Sequence, residues 1–260
     1  MVPEETVNKD FIADLVARTH FNQVLLAKDY YLTKMLYAIK DVKGIYFKGG
    51  TALNKIFLDH ARLSEDIDFT LTEDVRKKQA ELTRILKKQP FITKITEDKS
   101  VEGFIRMVNH YTNFSGEEDT IFIDLNQRGK LLTKPESHTL PHFYPDIPSF
   151  TIYTLSQEEM IAEKVAAAIG RNRPRDHYDI YQIIKHDLPI NMKLVEQKCK
   201  DSGDEFSIIK MFNKAKKLKN RWEEDMIPLL PKPESFAEII KFLAQHFHLK
   251  EAKEEKKDNK

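Results

Sequence analysis

The chain has 260 residues, 41% of them hydrophobic and 32% charged, with a formal net charge of +1; this is typical of a soluble globular protein and excludes a fibrous or mostly disordered chain. Its single cysteine, Cys199, excludes an internal disulfide and a cysteine-based metal cluster. The apolar runs are far shorter than the roughly 20 residues of a membrane-spanning helix, and the acidic N-terminus does not resemble a signal peptide, so we expect a cytoplasmic protein without membrane contact.

The first part of the chain predicts helices followed by a strand and a glycine turn. Apolar residues at helical spacing between residues 8 and 38, without Gly or Pro, predict one or two helices. Residues 43–48 predict a short strand that ends at the pair Gly49 and Gly50. We expect the next helix to begin at Thr51. Glycines let the backbone approach a phosphate closely, and a helix N-terminus offers free N–H groups, so this turn is a candidate anion site.

The next strand carries two carboxylates. Apolar and polar residues alternate from Asp66 to Leu71, which predicts a strand. Residues i and i+2 of a strand project to the same face, so Asp66 and Asp68 point together while Ile67 and Phe69 face the core. Packing of the core explains the two hydrophobic residues, but it does not explain two adjacent carboxylates.

The middle of the chain predicts more of the same sheet. A basic helix is predicted over residues 73–88, and it is followed by β-prone segments at 91–96, 104–111 and 120–126. The last of these segments contains another carboxylate, Asp124, within an otherwise apolar run.

Four prolines between residues 134 and 150 predict an irregular connection that ends the first domain. We therefore expect a domain over 1–155 and a helical one over 156–260. Ser156 and Glu159 match a capping box at the start of a helix. Further helices are predicted at 175–185, 192–200, 206–219 and 236–247, before a charged, disordered tail at 250–260.

The three aspartates suit metal-assisted phosphoryl chemistry. Transfer of a nucleotidyl group needs positioned phosphates and divalent cations held by carboxylates. Asp66, Asp68 and Asp124 are therefore candidate ligands for two Mg²⁺ ions, and Asp124 is also a candidate base for the attacking hydroxyl. A glycine pair or two aspartates alone are more often an ordinary turn or an exposed strand. Their combination in this order is much more specific.

Two segments carry a family resemblance. Residues 47–53 (Phe-Lys-Gly-Gly-Thr-Ala-Leu) and 62–69 (Arg-Leu-Ser-Glu-Asp-Ile-Asp-Phe) resemble the first motif of the AbiEii/AbiGii-type toxin nucleotidyltransferases, within the DNA polymerase beta-like superfamily. The similarity extends over about residues 44–184. It implies an α+β nucleotidyltransferase domain with a mixed, largely antiparallel sheet flanked by helices, then a C-terminal helical bundle, with the active site in the cleft between them.

The resemblance also assigns roles to residues. The implied catalytic residues are Asp66, Asp68, Asp124, Lys164 and Asp176. The implied nucleotide-binding residues are Lys48, Gly49, Gly50, Thr51, Ser64, Lys164 and Arg175. Asp179 falls in the same Arg-Asp-x-x-Asp pattern as Asp176, close to the lysine. Without the resemblance, Lys164 would more often be a surface lysine whose stem lies along the protein.

Three arginines near Pro174 leave two interpretations open. Arg171, Arg173 and Arg175 could grip a triphosphate or an acceptor strand through bidentate contacts. An ion-pair network with Asp176 and Asp179 is the alternative, and for Arg175 the two interpretations are equally favoured.

The resemblance implies a toxin that moves a nucleoside monophosphate from an NTP to an acceptor hydroxyl and is restrained by an antitoxin. Relatives suggest a tRNA 3′ end as the acceptor. Segments 75–94 and 193–221 have net charges of +6 and +5, which would suit an RNA backbone, although solvated helix faces have the same composition. Modification of a protein hydroxyl, and NTP binding by a regulator without turnover, are the alternatives.

Overall fold

The structure is a computed structural model that describes residues 7–171, 173–251 and 254. The chain divides into two units, with the boundary between Ser156 and Gln157. Most of the predicted charged tail lies outside the described residues. Of the helices that the structure describes, none has both the length and the apolar character needed to cross a membrane.

The first unit contains helices and one sheet. Its helices are α1 (Lys9–Thr19), α2 (Gln23–Ile39), α3 (Gly49–Ile56) and α4 (Val75–Leu86). Its strands are β1 (Ile45–Lys48), β2 (Asp66–Leu71), β3 (Ile92–Val101), β4 (Phe104–Thr112), β5 (Glu118–Asn126), β6 (Glu136–Thr139) and β7 (Thr151–Thr154).

The seven strands form one mixed sheet in the order β3-β4-β5-β2-β1-β7-β6. β2 pairs in parallel with β5, and β1 with β7. The other pairings are antiparallel. The predicted mixed, largely antiparallel sheet is thus confirmed. β2 is the central strand of the seven, and its core-facing residues, Ile67 and Phe69, are fully buried.

α3 is held in place by a buried ion pair. The Lys55 ammonium lies 2.7 Å from a carboxylate oxygen of Asp29 on α2, and both side chains are almost fully buried. The Tyr144 hydroxyl donates a hydrogen bond of 2.9 Å to the same carboxylate. Because an unpaired buried charge is strongly unfavourable, these contacts fix the position of the helix that follows the glycine pair.

Two local predictions for the first unit were wrong. α3 begins at Gly49 and not at Thr51, so the glycine pair forms the first turn of the helix. The segment predicted to be irregular contains β6, which pairs with β7. Pro135 and Pro141 stand on either side of β6 and not within it, which leaves the strand's N–H groups free to pair.

The second unit is helical, as predicted. Its elements are α5 (Gln157–Gly170), α6 (Pro174–Lys185), α7 (Met192–Asp201), α8 (Ile208–Phe212), α9 (Ala215–Met226), a 3-10 turn (Ile227–Leu229) and α10 (Phe236–His246). α5 packs against α6, α7 and α8.

One predicted helix of this unit, at 206–219, is in fact two. The chain leaves helical geometry at Lys214, whose φ is −106° and ψ 19°, between α8 and α9. Asn213 donates its N–H to the carbonyl of Lys210 over 3.3 Å, an i to i−3 bond that tightens and ends α8. Asn is a weak helix former, and periodicity alone did not reveal the break.

Candidate active site

The carboxylates of β2 and β5 lie on one face of the sheet. Asp66 and Asp68 are both half-buried, while Ile67 between them is fully buried. In the parallel pairing of β2 with β5, Asp68 stands level with Asp124. Laterally paired residues of neighbouring strands project to the same side of a sheet, so the three aspartates share one face.

Two cations continue this row across the sheet. Arg106 on β4 is the direct partner of Asp124 on β5. On the other side, Lys48 at the end of β1 is the direct partner of Asp68. Four neighbouring strands therefore present Arg106, Asp124, Asp68 and Lys48 side by side. We call this set the charged row; it has two acids in the middle and a cation at each end.

Arg106 binds both carboxylate oxygens of Asp124 through one edge of its guanidinium. Its Nε and Nη2 atoms donate hydrogen bonds of 2.7 and 2.6 Å to the two carboxylate oxygens. The Arg106 side chain is 34% exposed and the Asp124 side chain 12%. The Arg106 guanidinium carbon also lies 5.2 Å from the centre of the Phe122 ring. The hydrogen bonds that Arg106 donates to Asp124 raise the pKa of Arg106, partial burial opposes this rise, and the charges of Asp124 and Asp66 add to it.

The sequence alone did not identify Arg106 as a site residue. The sequence predicts a strand at 104–111, and the structure shows that Arg106 lies on the face of β4 opposite to the buried Ile105 and Met107. Which acid it would meet depends on the register between β4 and β5, which no local pattern encodes.

Gly49 allows the Asp68 carboxylate to lie against the start of α3. Its φ of +79° falls in the left-handed region that favours glycine. A Cβ atom at this position would collide with the carboxylate of Asp68. The glycine therefore serves two purposes, a backbone conformation and space for an acid.

The first turns of α3 are tied to the chain around β2. The Thr51 hydroxyl donates a hydrogen bond to the carbonyl of Asp66, and Thr51 is 2% exposed. Asn54 donates to the carbonyl of Gly50 over 2.9 Å and accepts from the N–H of Arg62 over 3.3 Å. These contacts fix the glycine turn relative to the aspartates and give Thr51 a structural role.

Ser64, a predicted nucleotide-binding residue, lies in the segment that leads into β2 and is 9% exposed. The same segment holds Arg62, whose guanidinium donates to the carbonyl of Leu63 over 2.9 Å. Lys48, Gly49 and Gly50 are half-buried.

A divalent cation fits the donors on this face. Asp66 and Asp68 are half-buried residues whose carboxylates are the hard donors that Mg²⁺ prefers. Over the described part of the chain, however, no three His, Cys, Asp or Glu side chains form a ready-made metal site. The Asp124 carboxylate is engaged by Arg106 through both of its oxygens in this structure.

In the second unit, Lys164 is buried within an ion-pair cluster. Its ammonium lies 2.8 Å from Asp179 and 3.1 Å from Asp176, and the lysine side chain is 8% exposed. Arg171 donates two hydrogen bonds of 2.8 Å to Asp176. We call Lys164, Arg171, Asp176 and Asp179 the α5–α6 cluster. It places Arg171 in the ion-pair network that the sequence left open, whereas Arg173 is exposed.

Electrostatics in the α5–α6 cluster favour ionised Asp176. Burial would raise the pKa of this carboxyl, but the charge of Lys164 and the hydrogen bond from Arg171 outweigh it and hold the pKa below its usual range. Asp176 lies in the first turn of α6 after Pro174, where the helix dipole also favours an acid. Arg175 in the same turn is half-buried.

The basic segment at 75–94 is only partly available to a ligand. Lys78 is buried between Glu73 and Glu81, at 3.2 and 3.0 Å. Arg76 lies 2.6 Å from Glu97 on β3. The remaining cations of the segment are exposed: Lys77, Arg84, Lys87, Lys88 and Lys94.

The segment at 193–221 also contains one internal cation. Lys198 is buried and lies 2.5 Å from Glu159 and 3.0 Å from Glu163. Burial would lower its pKa, but the two glutamates outweigh burial and raise it. The other cations of the segment are exposed or half-buried: Lys193, Lys200, Lys210, Lys214, Lys216, Lys217, Lys219 and Arg221.

Comparison with known proteins extends the similarity beyond the motifs. A family model described as "Nucleotidyl transferase AbiEii toxin, Type IV TA system" matches residues 32–244. No curated protein matches the sequence.

Solved structures share the fold. JHP933 from Helicobacter pylori superposes with a TM-score of 0.60 at 19% identity, over 92% of this chain and 98% of JHP933. MenT4, a nucleotidyltransferase toxin from Mycobacterium tuberculosis, superposes with a TM-score of 0.57 at 17% identity, over 84% of this chain and 73% of MenT4. The predicted fold class is confirmed.

Proposed function

We propose that Asp66, Asp68 and Asp124 carry the transfer chemistry of this chain, which belongs to the AbiEii family of nucleotidyltransferase toxins of type IV toxin-antitoxin systems. The family implies an NTP as substrate and an antitoxin as partner. The reaction that we propose moves a nucleoside monophosphate from the NTP to an acceptor hydroxyl, and pyrophosphate leaves from the opposite side of the α-phosphorus.

The register of the sheet is the main support for this proposal. It sets Asp68 level with Asp124 and on the same face as Asp66. Gly49 leaves room for the Asp68 carboxylate at the start of α3, where N–H groups are available to phosphate oxygens. Acids for a cation and donors for a phosphate thus lie next to each other.

Mg²⁺ is the proposed cofactor, with two ions as expected for this chemistry. Asp66 and Asp68 would hold it, together with Asp124. When bound, it would neutralise the negative charge of the triphosphate and of the leaving pyrophosphate. Asp124 is also the proposed acceptor of the proton from the attacking hydroxyl, and this role requires release of Arg106.

The remaining roles follow the family resemblance. Lys48, Gly49, Gly50 and Ser64 are proposed to contact the nucleotide. Lys164 and Arg175 are proposed to contact its phosphates, and Asp176 to hold the lysine in place. The 3.1 Å contact between the Lys164 ammonium and the Asp176 carboxylate supports this role of the aspartate.

A tRNA 3′ end is the proposed acceptor. The exposed cations of segments 75–94 and 193–221 could follow an RNA backbone, which binds mainly through its phosphates. The burial of Lys78 and Lys198 reduces this contribution but leaves most of the positive charge at the surface. A protein hydroxyl is the alternative acceptor, and NTP binding without turnover is the alternative from another class.

The test is incubation of the purified protein with Mg²⁺, each α-³²P-labelled NTP in turn, and total tRNA. The control is an Asp66→Asn/Asp68→Asn variant, which keeps the size of both side chains. Label that enters tRNA only with intact aspartates supports the proposal and names the nucleotide. Label that enters protein instead supports the alternative acceptor, and NTP binding without any transfer supports the regulator.

A further inference from the structure

Arg106 holds the Asp124 carboxylate by donating one hydrogen bond to each of its two oxygens. The bidentate geometry, at 2.7 and 2.6 Å, is the strong form of the arginine–carboxylate pair. Direct cross-strand pairing of Arg106 with Asp124 aligns the two side chains. The contact is therefore built into the register of β4 and β5.

A cation at Asp124 and the guanidinium on the same carboxylate would repel each other. Asp124 is only 12% exposed, so water screens this repulsion less than it would at an open surface. Arg106 is 34% exposed and has a route to solvent. Binding of a divalent cation to Asp124 thus favours withdrawal of the arginine, and the free energy of its two hydrogen bonds opposes that binding.

We infer that Arg106 is a positioning residue that holds Asp124 when no cation is bound and competes with the divalent cation for this carboxylate. The inference rests on the proposed function, since it takes Asp66, Asp68 and Asp124 as the cation ligands. It makes Arg106 a determinant of metal affinity: the charged row stays compensated without metal, and the third ligand is released only when the cation displaces the arginine.

Binding of Mn²⁺, measured by electron paramagnetic resonance of the free ion, tests this inference on the full chain without nucleotide. We expect Arg106→Gln to bind Mn²⁺ about tenfold more tightly than the unmodified protein, which corresponds to about 1.4 kcal/mol. Arg106→Lys keeps the charge but loses the two-pronged geometry, so we expect a smaller increase, about threefold.

Lys99→Gln is the matched control. Lys99 on β3 is exposed and is the direct cross-strand partner of Arg106, so its removal deletes the same charge one strand farther from Asp124. We expect this variant to change Mn²⁺ affinity by less than about twofold, because exposed charges at this separation are screened.

Equal tightening by Arg106→Gln and Lys99→Gln would overturn the inference, since it would indicate a general effect of charge. Unchanged affinity in both Arg106 variants, with binding that is still lost in Asp68→Asn, would overturn it while leaving the proposed function intact. Mn²⁺ binding that is absent, or indifferent to Asp68→Asn, would instead overturn the proposed metal site. Circular dichroism checks folding, and Arg106→Lys carries the comparison if Arg106→Gln does not fold.

Discussion

Replacement of Lys164 by methionine should destabilise the second unit strongly. Methionine has a similar length and fits an apolar site, so the main change is the loss of a buried charge. The variant leaves Asp179 and Asp176, both fully buried, without the ammonium at 2.8 and 3.1 Å. The two hydrogen bonds from Arg171 to Asp176 remain, and neither of them reaches Asp179. Removal of one partner of a buried ion pair typically costs about 3–5 kcal/mol, and we expect a loss within that range at pH 7.

Trp222 provides the assay for the Lys164 variant. It is the only tryptophan of the chain, is 4% exposed, and donates its indole N–H to the carbonyl of Glu234 over 2.9 Å. Its fluorescence during unfolding in urea therefore reports the second unit. The control is Arg171→Met, which removes a cation that is 52% exposed from the same cluster; we expect it to cost about 1 kcal/mol or less.

Equal losses in Lys164→Met and Arg171→Met would refute this reasoning, because burial is what distinguishes the two cations. A Lys164→Met loss below about 1 kcal/mol would do the same. A large loss has a consequence for enzymology: inactivity of a Lys164 variant then reflects the α5–α6 cluster as well as any contact with phosphate. Lys164→Arg, which keeps the charge, helps to separate the two effects.

Two further predictions concern the first unit. Gly49→Ala should lower transferase activity by at least about 100-fold, because the new Cβ displaces the Asp68 carboxylate. The control is Gly116→Ala: Gly116 has a φ of +81° and open space around it, so this variant should only lose about 1–2 kcal/mol of stability. Equal activity in the two variants would contradict this prediction. Burial, helped by the charge of Lys55, lowers the pKa of His60 to about 4. As the pH falls from about 6.5 towards 4, His60 therefore binds a proton in the unfolded chain but not in the folded one, and the free energy of unfolding should fall, by about 2 kcal/mol at pH 5. Hydrogen exchange of the first unit at pH 7 and pH 5 checks this, and His60→Asn should lose correspondingly less; an equal loss would refute it.

Local features of the site followed from the sequence because local rules govern them. The alternation from Asp66 to Leu71 predicted β2 with both aspartates on one face, and the structure contains that strand. The glycine pair after β1 predicted a turn that leads into a helix, although α3 begins at Gly49. Each of these features depends on backbone geometry over a few residues.

Other elements were missed because their signals are not local. β6 is short and is stabilised by its pairing with β7, so the surrounding prolines dominated the sequence pattern. The apolar spacing of residues 206–219 continues across the break between α8 and α9. Lys164 is another case: the sequence could not distinguish a surface lysine from the buried partner of Asp176 and Asp179.

The sequence by itself determined that aspartates stand on β2 and β5, that Asp66 and Asp68 share one face of their strand, and that a glycine pair follows β1. Only the tertiary structure decided that Asp68 stands level with Asp124 and that Arg106 binds the latter. Side-chain direction repeats every two residues and is therefore local. Register depends on packing and on loops between strands that are distant in the chain, so it exists only in the folded protein.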